Sequence, residues 1–449
     1  MMSAKEAQNA YVSQFARLEK AFGRNGQPWL QEIRKAAIAR FAELGFPTTK
    51  LEDWKYTNVG RLAGASFHAA EFRADGLPVE SLADLPLAHA AFTECCSRIV
   101  FVNGHYNPQL SSADLPKGIV AGSLSEAIKR SAPSVRKHLA QHADFRNQAF
   151  VALNTAFIDD GAFIEVPNGL TLETPIHFLF VSTADEPIAA HPRSLIVVGD
   201  GSQAAIIEDY VALGEGDYFT NATTEIVVGQ NAVLDHYKLQ SESERAFHIA
   251  TLQVRQDRSS SFTSHSVSLG GALTRNDVNV LLDGEGAECA LNGLYLTARD
   301  QHVDNHTVID HARPHCTSRE LYKGILDDRS SAVFNGSIIV RKDAQKTDAR
   351  QSNKNLLLSE EATINSKPQL EINADDVKCA HGTSIGHLDD DSIYYLRSRG
   401  VGPEEARSLL TYGFANDVLN RMKLDAVRVR LECALLARMP GRHPQLEEA

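Results

Sequence analysis

The chain has 449 residues, 43% of them hydrophobic, which is ample for a buried core and too apolar for a disordered polymer. At about 100 to 200 residues per domain, this length predicts two or three domains. Its 45 basic and 57 acidic residues leave a net charge of -12, which argues against a nucleic-acid binder, because such a protein needs a positive field to displace counterions.

The opening MMSAKEAQNAYVSQF carries charge where a secretory signal needs an apolar core. No apolar run approaches the roughly 20 residues that span a bilayer. The six cysteines, Cys95, Cys96, Cys289, Cys316, Cys379 and Cys433, show neither CxxC spacing nor the framework of a small secreted fold. The expectation is a cytoplasmic chain with free thiols, no export segment and no membrane association.

The first third reads mostly helical. Tyr11, Phe15, Leu18 and Phe22 recur at helical spacing, and Trp29, Ile33, Ala37, Phe41 and Leu44 repeat the pattern after Pro28. Gly45 and Pro47 stop that second helix. Thr49 with Glu52, and Ser123 with Glu126, have the spacing of capping boxes. Between them SRIVFVNGHYNP reads as a strand followed by a turn at Asn103 and Gly104.

From about Gly161 β-branched runs and Gly/Asp/Asn turns take over for roughly two hundred residues. SLIVVGDG, QAAIIEDY, TEIVVGQN, AVLDHYKL, TLQVRQD, VNVLLDGEG and SIIVRKD are strand candidates, and no ten-residue helical pattern separates them, which argues against a doubly wound sheet. A sandwich, a barrel and a solenoid stay open on that ground. A weak repeat favours the solenoid, since GSQAAII, GQNAVLD, RSSSFTS, GEGAECA, RSSAVFN and SEEATIN each place a polar turn before an alternating strand. With Ala204, Ala232, Ser261, Ala287, Ala332 and Ala362 as markers the steps are 28, 29, 26, 45 and 30 residues, the 45 being read as two coils.

After Leu388 the chain turns helical again. Asp389, Asp390 and Asp391 suit a helix N-terminus, and Gly400 can end the IYYLRSR helix. Pro403 opens EEARSLL, Gly413 is expected to interrupt it, and Leu424, Val427, Leu431, Leu435 and Met439 mark one face of a last helix.

Two clusters carry metal-ligand chemistry. Cys379 and His381 stand two apart, so on an extended segment both project from one face. Thiolate and imidazole suit iron or zinc, yet two ligands cannot close a tetrahedral site. The run QHVDNHTVIDHARPHC holds His302, His306, His311, His315 and Cys316. Extended spacing puts His302 and His306 on one face and His311 and His315 on the other, so one four-ligand centre needs a turn between the pairs. The alternative is a ladder of hydrogen-bonded polar side chains in or beside the solenoid. There is no G-x-x-x-x-G-K-[ST] phosphate loop, GDGSQA at Gly199 lacks the dinucleotide spacing, and G-x-S-x-G is absent.

The stretch from Asp343 to Gly400, with LEDWKYTNV from Leu51, YFTNATTEI from Tyr218, LDHYKLQ from Leu234, LNGLYL from Leu291 and KGILDDRSSAVFNG from Lys323, resembles the SufB/SufD family of the SUF iron–sulfur cluster assembly system. It resembles the SufD branch more closely than the SufB branch. The resemblance implies a mainly β chain: a right-handed parallel β-helix core at 151–387 between a mostly helical N-terminal domain at 1–150 and a helical domain at 388–449 that docks the ATPase SufC. It implies a non-catalytic scaffold that pairs with a SufB-like paralogue, or with a second copy of itself when isolated. In that family the histidine of the Cys-x-His motif faces SufB where a nascent cluster forms, a role that falls on His381, with Cys379 second. The partner would supply the remaining ligands, so this chain alone would hold no stable cofactor and the iron–sulfur cluster would be transient. ATP-driven movement of SufC would pass through the last helices to open that interface. Gly382 stands where SufB-like sequences have a glutamate, and the SufB N-terminal cysteine cluster is missing. Both departures point to the SufD branch.

Two other function classes compete. A solenoid carbohydrate-active enzyme needs convergent carboxylates, for which Asp304 and Asp310 are candidates. A stand-alone zinc or iron protein would use the 302–316 histidines.

Overall fold

A computed structural model describes residues 3–25, 27–70, 96–112, 114–183 and 187–439. Helices α1 (Ala4–Asn25), α2 (Pro28–Leu44) and α3 (Gly60–Ala63) come first. Proline opens α2 at a position where the N–H it lacks would have no intrahelical partner, and Gly45 at φ 65 closes the helix by donating its N–H to the Phe41 carbonyl. Tyr11, Phe15, Phe41 and Phe46 join Phe157 in one buried aromatic cluster.

Next come β1 (His68–Ala69), β2 (Ser97–Val102), β3 (His105–Ser112) and β4 (Val120–Ser123), then α4 (Leu124–Lys129), α5 (Pro133–His138) and α6 (Ala149–Ala156). The turn at Asn103 and Gly104 has positive φ at both residues, 51 and 88, as the NG pair suggests. Ser123 caps α4 by accepting the Glu126 N–H. The box expected at Thr49 and Glu52 does not form. That segment is one 3₁₀ turn, Glu52–Trp54, without a side-chain cap, and Glu52 instead pairs with Lys367.

The remaining strands are β5 (Ala162–Val166), β6 (Ile176–Ser182), β7 (Ile188–Ala190), β8 (Arg193–Val198), β9 (Gln203–Ala212), β10 (Phe219–Val228), β11 (Val233–Ser241), β12 (Phe247–Gln256), β13 (Ser261–Ser268), β14 (Leu273–Leu282), β15 (Glu288–Thr297), β16 (His302–His311), β17 (Thr317–Leu326), β18 (Ser331–Val340), β19 (Asp348–Leu357), β20 (Thr363–Ile372) and β21 (Lys378–Gly386). All seven strand candidates named above lie in them. Even-numbered strands from β8 to β20 stack in parallel in one sheet and odd-numbered strands from β9 to β21 in the other, giving a β-solenoid of about eight turns. Register runs from Phe219 to Phe247, Leu273, His302, Ser331 and Thr363, which is 28, 26, 29, 29 and 32 residues per coil.

The polar turns of the repeat have a backbone cause. Gly201, Asn231, Ser259, Gly286, His315 and Lys346 each sit two residues before a strand of the second sheet with positive φ. A stacked left-handed corner at each coil favours glycine, asparagine or another residue that tolerates that geometry. The 45-residue step is one and a half coils, not two. Ala204, Ala232, Ser261 and Ala287 mark the second sheet, whereas Ala332 and Ala362 mark the first.

Inside the coils, register aligns residues into columns. On the second sheet one column is Ala204, Leu234, Phe262, Cys289, Ser318, Ala349 and Cys379; the next is Ile206, His236, Ser264, Leu291, Glu320, Gln351 and His381. Two glycines exist to make room. Gly293 faces Tyr322 and Gly324 faces Tyr295 across β15 and β17, and a Cβ on Gly293 would lie 2.2 Å from the Tyr322 ring. Tyr322 is fully buried and has nowhere to go, so Gly293→Ala is expected to cost at least about 1–3 kcal/mol. Urea unfolding at an unchanged midpoint would show that the ring can give way.

The outer faces are covered. Ala152, Leu153 and Ala156 of α6 pack with Phe219, Phe247, Ile249 and Leu273 of the first sheet. After α7 (Asp390–Ser398), which buries no residue, α8 (Pro403–Leu419) and α9 (Asp425–Leu436) lie on the second sheet, with Val418, Val427, Leu431 and Leu435 against Ile207, Tyr237, Leu239 and Val267. Asp389 caps α7 by accepting the Ser392 N–H. Gly413 does not interrupt α8. It faces open space, and the helix runs on through it at the modest cost of an exposed glycine.

Candidate functional site

The sheets end at β20 and β21, and among the described residues no strand pairs with their far edges. The last coil is therefore open. Its inward-facing positions, buried in every earlier coil, face outward from the end. They are Ile364, Ser366, Pro368, Leu370 and Ile372 on β20 and Cys379, His381, Thr383 and Ile385 on β21. Ile372 and Ile385 are 41% and 51% exposed. Thr383 donates to Ser366 Oγ at 2.9 Å and Ser366 to Asn353 Oδ1 at 2.8 Å, so the two sheets meet in a polar rung across the end.

Cys379 and His381 share one face of β21, as their spacing requires. His381 is exposed and stacks on Gln351. Cys379 is half-buried beside Ala349 and Ala374, and burial raises its thiol above the ordinary range. It would have to lose its proton to bind metal, which a neighbouring cation or metal favours. Behind His381, Gln351 donates to Glu320 Oε2 at 2.6 Å, and burial pushes the Glu320 carboxyl up to about 7. Sequence reasoning missed Glu320 and Gln351, because a polar residue at an inward position looks the same as one facing solvent until the register is known.

The 302–316 histidines do not converge. His302 Nε2 lies 2.9 Å from Thr57 Oγ1, and its Nδ1 2.7 Å from Ser331 Oγ. His306 Nε2 is 3.0 Å from Asp304 Oδ1. Both project from the outer face of β16. His311 points into the coil, 2.9 Å from Ser318 Oγ, while His315 is an exposed corner residue at φ 59. Cys316 is buried with its thiol directed at the Gly284 carbonyl. Among the described residues no group of three or more His, Cys, Asp or Glu is placed to hold a metal ion.

The outward pair instead seats the LEDWKYTN segment. Arg275 lies 3.7 Å from the Trp54 ring centre, donates to the Asp53 carbonyl at 2.7 Å and pairs with Asp304 at 2.8 Å, and Thr57 donates to the same carboxylate. Asp304 and Asp310 stand six residues apart on one strand, about 20 Å at 3.3 Å per residue, and Asp310 is paired with Arg341. That separation far exceeds the spacing of a glycosidase carboxylate pair.

Cys96, Cys289, Cys316, Cys379 and Cys433 are free thiols, and Cys95 lies outside the described residues. No helix among the described residues is long and apolar enough to cross a membrane.

Comparison with known proteins agrees with this geometry. Residues 180–414 match the SUF system FeS cluster assembly SufBD core domain, and residues 5–178 match the SufBD protein N-terminal region. The chain is 36% identical to an iron–sulfur cluster assembly SufBD family protein of Synechocystis sp., covering 89% of this chain and 88% of that one. It is 30% identical to the iron–sulfur cluster assembly protein SufD of Escherichia coli, over 96% and 97% of the two chains, and 26% identical to SufD of Bacillus subtilis, over 90% and 92%. An open-ended β-solenoid with helices on both flanks, matched along nearly its whole length by these proteins, belongs to the SufBD family of the SUF iron–sulfur cluster assembly system.

Proposed function

We propose that this chain is the SufD-type scaffold subunit of a cytoplasmic SUF complex. Its open coil pairs with a SufB-like paralogue, and a nascent cluster is assembled between them as cargo. The observation that carries this reading is the column ending on His381: an interior position of the solenoid, buried in every earlier coil, is left uncovered beside Cys379 at an unpaired sheet edge. An open β edge with apolar residues at 41% and 51% exposure is a surface that another edge covers. Cys379 and His381 offer two ligands on one face, and the partner supplies the rest.

The helical flank serves a different partner. The face of α9 marked by Val427, Leu431 and Leu435 is consumed by the solenoid, so docking of a SufC-like ATPase falls on α7 and α8. There Tyr394, Tyr395 and Leu409 are 74%, 57% and 48% exposed, and α7 buries no residue. The scaffold role is non-enzymatic, with ATP hydrolysed by the SufC-like subunit. In the absence of the paralogue a second copy occupies the open coil.

The test is copurification from cells expressing this chain with tagged SufB-like and SufC-like subunits. The wild type is expected in a three-chain complex. Ile385→Lys, an exposed change that leaves the isolated fold intact, is expected to lose the SufB-like subunit at least tenfold and keep the SufC-like one. Full retention of the SufB-like subunit by the variant would refute pairing through this coil.

A further inference from the structure

The interior behind the open end holds an acceptor without a donor. Gln351 on β19 lies in the column between Glu320 on β17 and His381 on β21, and Gln351 and Glu320 are 3% and 4% exposed. The Gln351 Nε2 donates to Glu320 Oε2 at 2.6 Å, whereas its Oε1 is buried and accepts no hydrogen bond. Such an orphan is rare in a folded interior, because a buried acceptor gives up water and gains nothing in return. One coil further out, the exposed His381 ring bonds to no side chain or backbone group among the described residues. An unpaired acceptor and an unpaired ring are therefore register neighbours.

The fold holds this amide in place from two sides. Gly336 sits at an inward position of β18, between Thr307 and Pro368 in register, and a Cβ there would lie 2.3 Å from Gln351 Nε2 and 2.8 Å from Gln351 Cδ. Its φ is not positive, so nothing in the backbone calls for glycine. The space for the amide does, and a glycine inside a strand is the mark of such a close approach. Glu320 then sets the direction. Its carboxyl takes the NH₂ end of the amide on the coil behind, which turns the carbonyl end away from that coil.

We propose that Gln351 is a positioning residue for His381: its Oε1 accepts the N–H of one ring nitrogen, leaving the other nitrogen bare and directed at metal cargo in the open coil. This rests on the reading of that coil as the assembly site. A histidine that ligates through one nitrogen is held by the N–H of the other, which fixes its tautomer and ring direction and strengthens the ligating nitrogen as a donor. Neighbouring strands lie about 4.8 Å apart, so rotation of the exposed histidine about its own side-chain bonds brings ring and amide together without backbone movement. The column then reads Glu320, Gln351, His381, each member oriented by the one behind it.

The experiment follows cluster formation from ferrous iron and sulfide by visible absorbance in the anaerobic three-chain complex. This chain is supplied as wild type, Gln351→Met, Gln351→Glu, His381→Ala or the double variant Gln351→Met with His381→Ala. Gln351→Met fills the same space with no acceptor and is expected to slow formation about tenfold in an intact complex, the usual effect of removing the outer partner of a ligating histidine. Gln351→Glu keeps an acceptor oxygen at the same reach and is expected to stay close to the wild-type rate. In the His381→Ala background Gln351→Met is expected to add less than about a twofold loss, because it acts only through that ring. A full further loss in that background, or a wild-type rate for Gln351→Met while His381→Ala is slow, would overturn the inference and leave the assembly-site reading standing. A wild-type rate for His381→Ala would overturn both. Should Gln351→Met fail to assemble, Gln351→Glu carries the test: a loss as large as that of His381→Ala in an intact complex would contradict the acceptor role.

Discussion

Replacing Arg430 with methionine is expected to destabilise the chain by about 3–5 kcal/mol, the usual cost of stranding one member of a buried ion pair. Arg430 on α9 donates to both oxygens of Asp209 on β9, at 2.5 and 2.9 Å, and His177 approaches the same carboxylate at 3.2 Å. All three side chains are 2% exposed or less. The methionine keeps most of the aliphatic stem, so the loss comes from the Asp209 carboxylate losing its guanidinium in a place water does not reach. The double variant Arg430→Met with Asp209→Asn should recover most of the loss, because it removes the stranded charge. Denaturant unfolding of the three proteins checks this. A single variant within about 1 kcal/mol of wild type would mean that His177 alone compensates Asp209. The pair also bears on function: with Lys423 on Asp235 and Lys323 on Asp417, it fastens the C-terminal helices to the solenoid at three coils. A force applied to α7 or α8 by a docked ATPase would reach the sheet through these contacts.

Much of this architecture is legible in the residues. The strands from β8 to β15 and β18 announce themselves by alternation between polar corners, α1, α2 and α9 by apolar spacing, and the ends of α2, α7 and α8 by Pro28, Gly45, Asp389 and Pro403. The corners misled once, at the step from Ala287 to Ala332, because the same turn chemistry serves both sheets and nothing local says which one follows. Gly413 misled for a related reason. On an exposed helical face a glycine costs about 1 kcal/mol, which the packing of Val418 and Leu419 overrides.

The candidate site was legible in part. Cys379 and His381 are two apart and share a face because any strand enforces it. That this face is interior, and uncovered only because the coils stop at β21, depends on register accumulated over the whole solenoid. The same holds for Glu320 and Gln351, whose inward direction no short window reveals. The histidine run of 302–316 drew attention as a metal motif through composition. Its members divide among an outer face, an inner face and a corner, and their partners are Thr57, Ser331, Asp304 and Ser318.

His381→Ala is expected to leave the isolated fold unchanged within about 0.5 kcal/mol, since the ring is exposed and an exposed substitution of this kind rarely costs more. The effect should appear only in the assembled complex. On the proposed reading the imidazole is one of two donors this chain would offer to cargo at the interface, and alanine would leave Cys379 alone, half-buried and with its thiol proton held more tightly than in water. Cluster formation should fall by at least tenfold while subunit composition and SufC-like ATPase activity stay the same. His381→Cys, which restores a soft ligand on the same face, should recover part of the rate. The decisive measurement is the rate of cluster formation, followed by visible absorbance, in anaerobically reconstituted three-chain complex carrying wild-type or His381→Ala protein. A tenfold or greater loss in an intact complex is the expected result, and a wild-type rate would contradict the assignment of this open coil as the assembly site.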